Sequence, residues 1–582
     1  MAIQLSPGVS VSEVDLTTVV PSVSSTTGAF SGKFIWGPGN IIKVIDSELT
    51  LRKTYGIPDS NTYIHYFTAA SFLAYANDLR VVRALNANSN NAISNTNSSG
   101  VQVANENVYE ANYRTTASNA YGPFAARYAG AIGNSIQVDV FDSSNTTLFS
   151  AWSSAAGALA ANFSSAPSTS SYVSTMGGAN DEFHIVVTDA GGLITGVKNT
   201  VLETYPFVSK AIDATDGNNN STYYKNVIFN NSKYIYAMDH LDYANTNATW
   251  GKTGQTTFAR ISTATYPQGN TSHRLASGTD ATITDANLQT GYDLFKNKDT
   301  VDVSLFLTAD ASVTVQQYVI DNIVTSAGSL TGRSGDAIAF ISPRYADVVN
   351  QAGSETTNIQ SWLTSLARSS SYVVADSGWK YMYDKYNNVY RYIPLNGDIA
   401  GLCVYTDAIR DPWYSPAGFN RGAIKNAVRL AWNPNQTERD IIYPLGVNPV
   451  VTFPGNGIVL YGDKTLQAKP SAFDRINVRR LFIVLEKAIS IAAKYSLFEF
   501  NDQFTRAQFV SLVAPFLRDV QGRRGIYDFR VICDTTNNTP QVIDSNQFVG
   551  DIYIKPARSI NFIKLNFIAV GTGVAFSEVT GA

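Results

Sequence analysis

Histidines are the first residues of this sequence to consider for metal binding or for proton transfer near neutral pH. A zinc site needs several His or Cys ligands, usually at short and characteristic spacings. No histidine of this chain has a second His or a Cys at such a spacing, and the four are His65, His184, His240 and His273. The sequence therefore predicts no zinc site.

Two glycine-containing segments resemble phosphate-binding loops, but neither has the required spacing. Residues 28–34 have one residue too few between the glycines for a P-loop, and no Ser or Thr follows Lys33. Residues 571–576 lack the third glycine of a dinucleotide-binding fingerprint, and they lead from one predicted strand into another. We therefore predict that the chain binds no cofactor.

Two pairs of aspartates, Asp213 with Asp216 and Asp239 with Asp242, are candidates for a catalytic acid and base or for calcium ligands. Neither pair follows the EF-hand spacing, so solvated loop carboxylates are the favoured interpretation. The sequence also has no Gly-x-Ser-x-Gly elbow and no His near either cysteine. We predict that the protein is not an enzyme.

The composition indicates a large folded protein whose surface is partly covered by neighbours. Its 582 residues exceed what one core usually serves, and 44% of them are hydrophobic. Only 15% are charged, against about 25% in typical soluble domains. A net charge of -3 without a long Lys/Arg tract gives no electrostatic case for direct nucleic-acid binding. No stretch approaches the length of a membrane span and no signal pattern opens the chain, so neither membrane insertion nor secretion is expected.

Strand and helix patterns predict a discontinuous α/β core domain, residues 28–85 and 291–430, interrupted by a β-rich insertion, residues 86–290. The expected core strands and helices are residues 28–38, 63–76, 79–85, 302–307, 313–327 and 336–343. In the insertion, residues 86–107 are expected to form an exposed polar loop or a domain boundary, and strands are expected at residues 135–141, 183–188 and 193–197.

The last part of the chain, residues 431–582, is predicted to form a compact α+β domain that ends in a C-terminal arm. Helices are expected at residues 472–494 and 503–519, followed by a strand at residues 527–533. Residues 550–554 and 560–570 are expected to pair as two further strands. The fold class predicted for the whole chain is thus a multidomain mixture of α+β and α/β.

Both ends of the chain have the pattern of β-strands that lack a partner nearby in sequence. At the N-terminus, apolar residues alternate at Val9 and Val11 and then, after a one-residue slip typical of a β-bulge, at Val14 and Leu16. A polar stretch, residues 17–27, follows without a hairpin turn, so residues 1–27 are predicted to be an arm and its tether. At the C-terminus a short strand contains Val574, Phe576 and Val579. Such arms can tie one subunit to the next by adding a strand to its sheet.

Several short motifs, weak individually, resemble those of a known family in their order and spacing. In the first part of the chain they are residues 7–9 with Glu13, residues 27–32 and 36–38, and residues 128–130 and 133–136. In the last part they are residues 413–418, 448–449 and 455–458, and residues 475–480, which open the long helix. Together they resemble the tail sheath proteins of contractile-tailed, myovirus-type bacteriophages.

This resemblance implies a structural subunit of the virion. Such subunits stack in hexameric rings as a helical polymer around a tail tube, and contact baseplate and tail terminator proteins. They are assembled in the host cytoplasm and contract to drive the tube through the host envelope. The implied strand-exchange residues are Val9, Val11, Val14, Leu16, Val574, Phe576 and Val579. The implied tube-facing residues are Arg475, Arg479, Arg480 and Lys487, with a solvated face or intrachain salt bridges as the alternative.

Two other classes of protein fit parts of the sequence. A secreted or surface-layer β-rich adhesin would explain the Ser/Asn-rich middle region and the low charge, but not the α/β core or the missing signal. A polysaccharide-degrading enzyme would have to use carboxylates of the middle region.

Overall fold

The computed structural model describes residues 24–95, 98–114, 120–241, 249–261, 269–325, 333, 335–561 and 563. It divides into two compact units, and the chain is a mixed α/β multidomain protein. The larger unit comprises Ser24–Arg410 and Pro416–Ile476. The smaller unit, in the described part of the chain, comprises Asp411–Ser415 and the residues from Asn477 onward.

The first segment of the larger unit alternates strands and helices, as the sequence predicts for residues 28–85. Its elements are β1 (Gly28–Gly32), β2 (Ile42–Ile45), α1 (Glu48–Tyr55), α2 (Tyr63–Leu73) and β3 (Leu79–Arg83). Strands β1 and β3 are parallel, with Phe30 opposite Val81. Both side chains are fully buried, because a parallel strand is covered on its two faces.

The middle of the chain contains mostly short elements. They are α3 (Glu106–Asn112), β4 (Phe124–Ala126), β5 (Ile136–Phe141), α4 (Thr146–Ser150), β6 (Ser153–Ser154), β7 (Gly157–Ala158), α5 (Ser171–Met176), β8 (Glu182–Asp189), β9 (Thr200–Ser209), α6 (Tyr224–Asn231), β10 (Ile235–Ala237) and β11 (Asn270–Arg274). Two 3-10 segments, Ala131–Ser135 and Leu159–Asn162, lie among them. Antiparallel pairing gives a four-stranded sheet in the order β11-β5-β8-β9.

The rest of the larger unit returns to alternating strands and helices. Its elements are α7 (Asp285–Asp293), β12 (Leu305–Leu307), α8 (Val313–Tyr318), a π-helix (Val319–Val324), β13 (Ile338–Ile341), α9 (Tyr345–Val348), α10 (Glu355–Leu366), β14 (Val373–Asp376), β15 (Trp379–Asp384), β16 (Val389–Pro394), α11 (Asn396–Ile409), β17 (Arg429–Leu430), α12 (Gln436–Ile442), β18 (Val447–Asn448), β19 (Val450–Phe453) and β20 (Gly457–Leu460). Strands β15 to β17 form an antiparallel sheet of their own, and β19 pairs with β20.

One seven-stranded sheet joins the two distant segments of the larger unit. Its order is β18-β14-β13-β12-β1-β3-β2, with only β2 antiparallel to its neighbour. Strands β1 and β12 lie side by side, and Ala29 is opposite Phe306. The sheet includes β18, and the larger unit continues to Ile476, whereas the sequence-based boundary lies at residue 431.

The smaller unit consists of two long helices and a two-stranded antiparallel sheet. Its elements are α13 (Ile476–Ala493, preceded by a 3-10 turn, Ala472–Asp474, and followed by another, Lys494–Ser496), α14 (Gln503–Gly522), β21 (Ile526–Ile532), α15 (Pro540–Asp544) and β22 (Asp551–Pro556). Leu485 of α13 and Val513 of α14 are buried in one cluster with Ile526 of β21.

One strand predicted for the middle region is wrong. Residues 193–197 form a turn, because the Asp189 carboxylate accepts hydrogen bonds from the backbone of Ile194 (3.0 Å) and Thr195 (2.7 Å). Of the two alternatives for residues 86–107, the exposed loop does not hold throughout, since Asn91 is buried there and donates to the Val103 carbonyl, and the domain boundary stays a prediction.

Candidate assembly surface

The histidines occupy structural positions in the larger unit. His65 lies 2.9 Å from Asp310 and stacks on Phe30. His184 contacts the Ser165 carbonyl at 2.8 Å. Within the described residues, no three His, Cys, Asp or Glu side chains come together as a metal site would require.

The candidate carboxylates also have structural partners. Asp213 accepts a hydrogen bond from the Gly254 amide at 2.8 Å. Asp216 accepts from the Asn218 and Asn220 amides within its own turn. Asp239 is buried, whereas Asp242 lies outside the described residues. The two aspartate pairs thus show no arrangement for acid–base chemistry in the described part of the chain.

Two pairs of deeply buried charges in the larger unit neutralise each other. Lys380 of β15 lies 2.9 Å from Asp398 of α11, and both side chains are inaccessible to solvent. Lys210 is likewise buried beside Asp142, at 2.7 Å, and its ammonium lies over the Trp250 ring. Paired, buried charges of this kind hold elements in register, and they offer nothing to a substrate.

The basic residues of α13 do not form a common exposed face. Arg475 precedes the helix and pairs with Asp463 at 3.1 Å, which matches the intrachain alternative. Arg479 and Arg480 are both buried, at 6% and 3% exposure. Lys487 is half-buried. Burial of the two central arginines follows from their positions on the helix, since Val478 and Leu481 beside them point into the interior.

The two-stranded sheet of the smaller unit has one covered face and one exposed face. Strands β21 and β22 pair antiparallel from Ile526 opposite Pro556 to Ile532 opposite Asp551, with a register shift between Ile526 and Asp528. Ile552 and Ile554 pack towards the interior, whereas Tyr527 and Tyr553 are exposed. In the described residues each of these strands pairs only with the other.

The predicted strand-exchange residues lie outside the described part of the chain. This holds for Val9, Val11, Val14 and Leu16 and for Val574, Phe576 and Val579. Of the strand expected at residues 560–570, only residues 560, 561 and 563 are described, and they are not in a strand. The described strand that pairs with β22 is β21, which the sequence predicts as residues 527–533.

A surface that the sequence-based predictions missed lies between α13 and α14. We call residues 495–504 the aromatic loop. Its five large apolar side chains are strongly exposed: Tyr495 (72%), Leu497 (61%), Phe498 (106%), Phe500 (84%) and Phe504 (73%). The signal available in the sequence was a dense apolar run between two helices, which by itself is equally typical of a buried turn.

None of the described helices has both the length and the apolar character needed to cross a membrane.

Comparisons with known proteins cover the whole chain. Residues 307–466 match the family "Phage tail sheath protein central domain", and residues 468–569 match "Phage tail sheath C-terminal domain". The chain is 32% identical to the tail sheath protein of Vibrio phage KVP40, over 99% of this chain and 100% of that protein. It is also 32% identical to the tail sheath protein of Enterobacteria phage T4, over 99% of both.

Among solved structures, the sheath tail protein of Listeria innocua is similar in fold. The superposition has a TM-score of 0.50 at 10% identity and covers 92% of this chain and 96% of that protein. The similarity of architecture therefore extends beyond the two matched family domains.

Proposed function

The chain belongs to the family of phage tail sheath proteins, and on that basis we propose that it is the repeating subunit of a contractile phage tail sheath. The observation that carries the proposal is the similarity to tail sheath proteins over 99% of the chain. The subunit stacks in hexameric rings that form a helical polymer around a tail tube. The role is structural rather than catalytic, and the polymer contracts to drive the tube through the host envelope.

The arms connect the copies by strand exchange. Val9 to Leu16 of one copy, and Val574 to Val579 of another, add to the edges of the β21–β22 sheet of a neighbour. Each backbone hydrogen bond contributes about 0.5–1.5 kcal/mol net, so a strand that adds its whole edge contributes several kcal/mol. The tether, residues 17–27, lets the folded units reorient without breaking this connection.

Contraction needs no nucleotide in this proposal. If each subunit gains a few kcal/mol in the short state, many linked copies together perform a large amount of mechanical work, and their coupling makes the change cooperative. The sheath is a virion component assembled in the host cytoplasm. Its partners are the tail tube, baseplate and tail terminator proteins, and it contacts neither nucleic acid directly nor the interior of a membrane.

The contact with the tube is assigned to the basic residues Arg475, Arg479, Arg480 and Lys487. Arg475 is held by the Tyr443 hydroxyl at 2.8 Å and by Asp463 at 3.1 Å, and Lys487 is half-buried, so a contact of these two side chains with an acidic tube wall competes with intrachain contacts. Arg479 and Arg480 are buried, so their part is to fix the orientation of α13.

Substitutions on the two faces of the N-terminal arm test the strand exchange. Val9→Asp with Val11→Asp places charges on the apolar face and is expected to abolish tubular polymers of the purified chain in negative-stain microscopy. The matched control, Ser10→Asp with Ser12→Asp, adds the same charge to the opposite face and should still polymerise. Full-length cylinders formed by the Val9/Val11 variant would contradict the exchange.

A further inference from the structure

The aromatic loop exposes an unusual amount of apolar surface. Aromatic side chains bury about 150–250 Å² each when covered, so the four exposed aromatic side chains of the loop together offer about 600–1,000 Å². A standard protein interface buries about 800 Å² on each partner. This one segment is thus large enough to form most of one side of a stable interface.

The loop is held in place before any partner arrives. Asn501 donates to the Gln547 carbonyl at 2.8 Å, and the Arg506 guanidinium donates to the Asn501 side chain at 2.8 Å. Asp502 accepts from the Thr505 amide at 2.8 Å and so caps α14. A surface fixed in this way loses little conformational entropy on binding, which favours affinity.

Phe498 has a backbone conformation that a phenylalanine seldom adopts. Its φ is 70° and its side chain is fully exposed. Left-handed backbone costs about 1–2 kcal/mol for a residue with a Cβ, and Asn tolerates it better than Phe. Among the described residues no side chain covers the Phe498 ring, so the ring is suited to contact a partner surface.

We propose that the aromatic loop is a docking surface for a second copy of this chain. This inference rests on the proposed function. In the proposed polymer the contacts between copies persist through contraction, because the arms keep the copies linked while the folded units reorient. Permanent interfaces are the more apolar ones, and transient interfaces are more polar. The loop and its ends carry Lys494, Glu499, Asp502 and Arg506, a balanced set of charges that gives no preference for a strongly charged partner.

The test is the concentration of purified chain at which polymers form. Phe498→Asn with Phe500→Ser removes two exposed rings, and Asn suits the positive φ, so the fold should be retained. We expect this variant to raise the threshold at least about tenfold in a sedimentation assay, with an unchanged thermal unfolding midpoint. Tyr495→Ser, elsewhere in the loop, should also raise the threshold concentration, by a smaller factor.

Leu193→Ser with Val197→Ser is the matched control. It removes two exposed apolar side chains (64% and 65%) from a turn of the larger unit and should leave the threshold unchanged. The inference is overturned if the loop variants polymerise at the wild-type threshold. It is also overturned if they polymerise normally alone but fail only on tail tubes, because the loop then contacts the tube. If the wild-type chain forms no polymer, the proposed function itself fails, and this inference with it.

Discussion

Two of the sheets in the described residues differ in size and burial. In the seven-stranded sheet, β1 and β13 each have two neighbours and every residue of both strands is buried. In the smaller unit, β21 and β22 have one described neighbour each and expose Tyr527 and Tyr553. A two-stranded sheet is marginal in isolation and gains most from an added strand. An added strand would therefore stabilise the β21–β22 sheet of the smaller unit more than the seven-stranded sheet of the larger unit.

Buried aromatic residues should give the largest contrast between the two units. Trp362 of α10 is fully buried, and its indole donates to the Gln316 side chain at 2.9 Å. Trp362→Ala is expected to lower the unfolding free energy of the larger unit by about 3–5 kcal/mol, since it leaves a cavity and an unsatisfied Gln316. Denaturant titration of the non-assembled chain measures this.

Phe500→Ala in the aromatic loop is the counterpart of that change. Because the ring is exposed, its removal should alter unfolding by no more than about 0.5 kcal/mol. A loss of stability comparable to that of Trp362→Ala would mean that the loop belongs to the core of the smaller unit, and the contrast would no longer hold.

Acid should weaken the part of the larger unit that contains His240 and His273, while the buried Asp376 of β14, whose pKa burial raises to about 8, responds to acid in the opposite sense. All four histidines lie in the larger unit and none in residues 477–582. Burial lowers the pKa of His240 to about 4, with Lys225 adding to the effect, and burial lowers the pKa of His273 to about 4. The folded state thus resists protonation, so stability present above pH 6.5 is lost as the pH falls from 6.5 through 4.

The expected loss is on the order of 2–3 kcal/mol for each of the two histidines. Hydrogen exchange should show more opening of the four-stranded sheet region at pH 5 than at pH 7. The double variant His240→Gln with His273→Gln should reduce this difference between the two pH values. Earlier opening of the smaller unit on acidification would reverse the contrast.

A smaller effect is expected from a buried amide in the smaller unit. Asn538 accepts from the Val549 amide at 2.9 Å and donates to the Val549 carbonyl at 2.8 Å, which fixes the connection between β21 and β22. Asn538→Ala should cost about 1–2 kcal/mol, because two backbone groups lose their partner. Faster hydrogen exchange of the Val549 amide would report this loss of stability. The control Gln541→Ala, on the exposed α15, should leave both the stability and the exchange rate unchanged.

The regular elements of the core could be predicted from sequence because their patterns are local. The local residue patterns at β1, β3, β12 and β13 indicate strands, and the structure confirms all four. The prediction at residues 193–197 failed because the apolar pattern does not show the competing local interaction, in which the Asp189 carboxylate binds the backbone amides of Ile194 and Thr195. Strand β9 was not predicted.

The candidate site was less predictable than the fold. The strand pattern of the two arms, at Val9 and at Val574, can be recognised in the sequence. The exchange of these strands between copies of the chain stays a prediction. The family resemblance implies that the basic residues of α13 face the tube together, yet Arg479 and Arg480 are buried whereas Lys487 is half-buried. Helical periodicity fixes which residues share a face, and only the packing of that face against other elements decides whether it meets solvent.

The sequence by itself determined the family, the α/β character of the core and the unpaired strand pattern of both ends, because motif order and local periodicity are properties of the chain. Tertiary structure alone decided that two segments more than 200 residues apart share one sheet, with Ala29 opposite Phe306. It also decided that the apolar run between α13 and α14 faces outward. Burial depends on which surfaces meet in space, and an apolar residue in sequence is equally suited to an internal core and to an interface with another molecule.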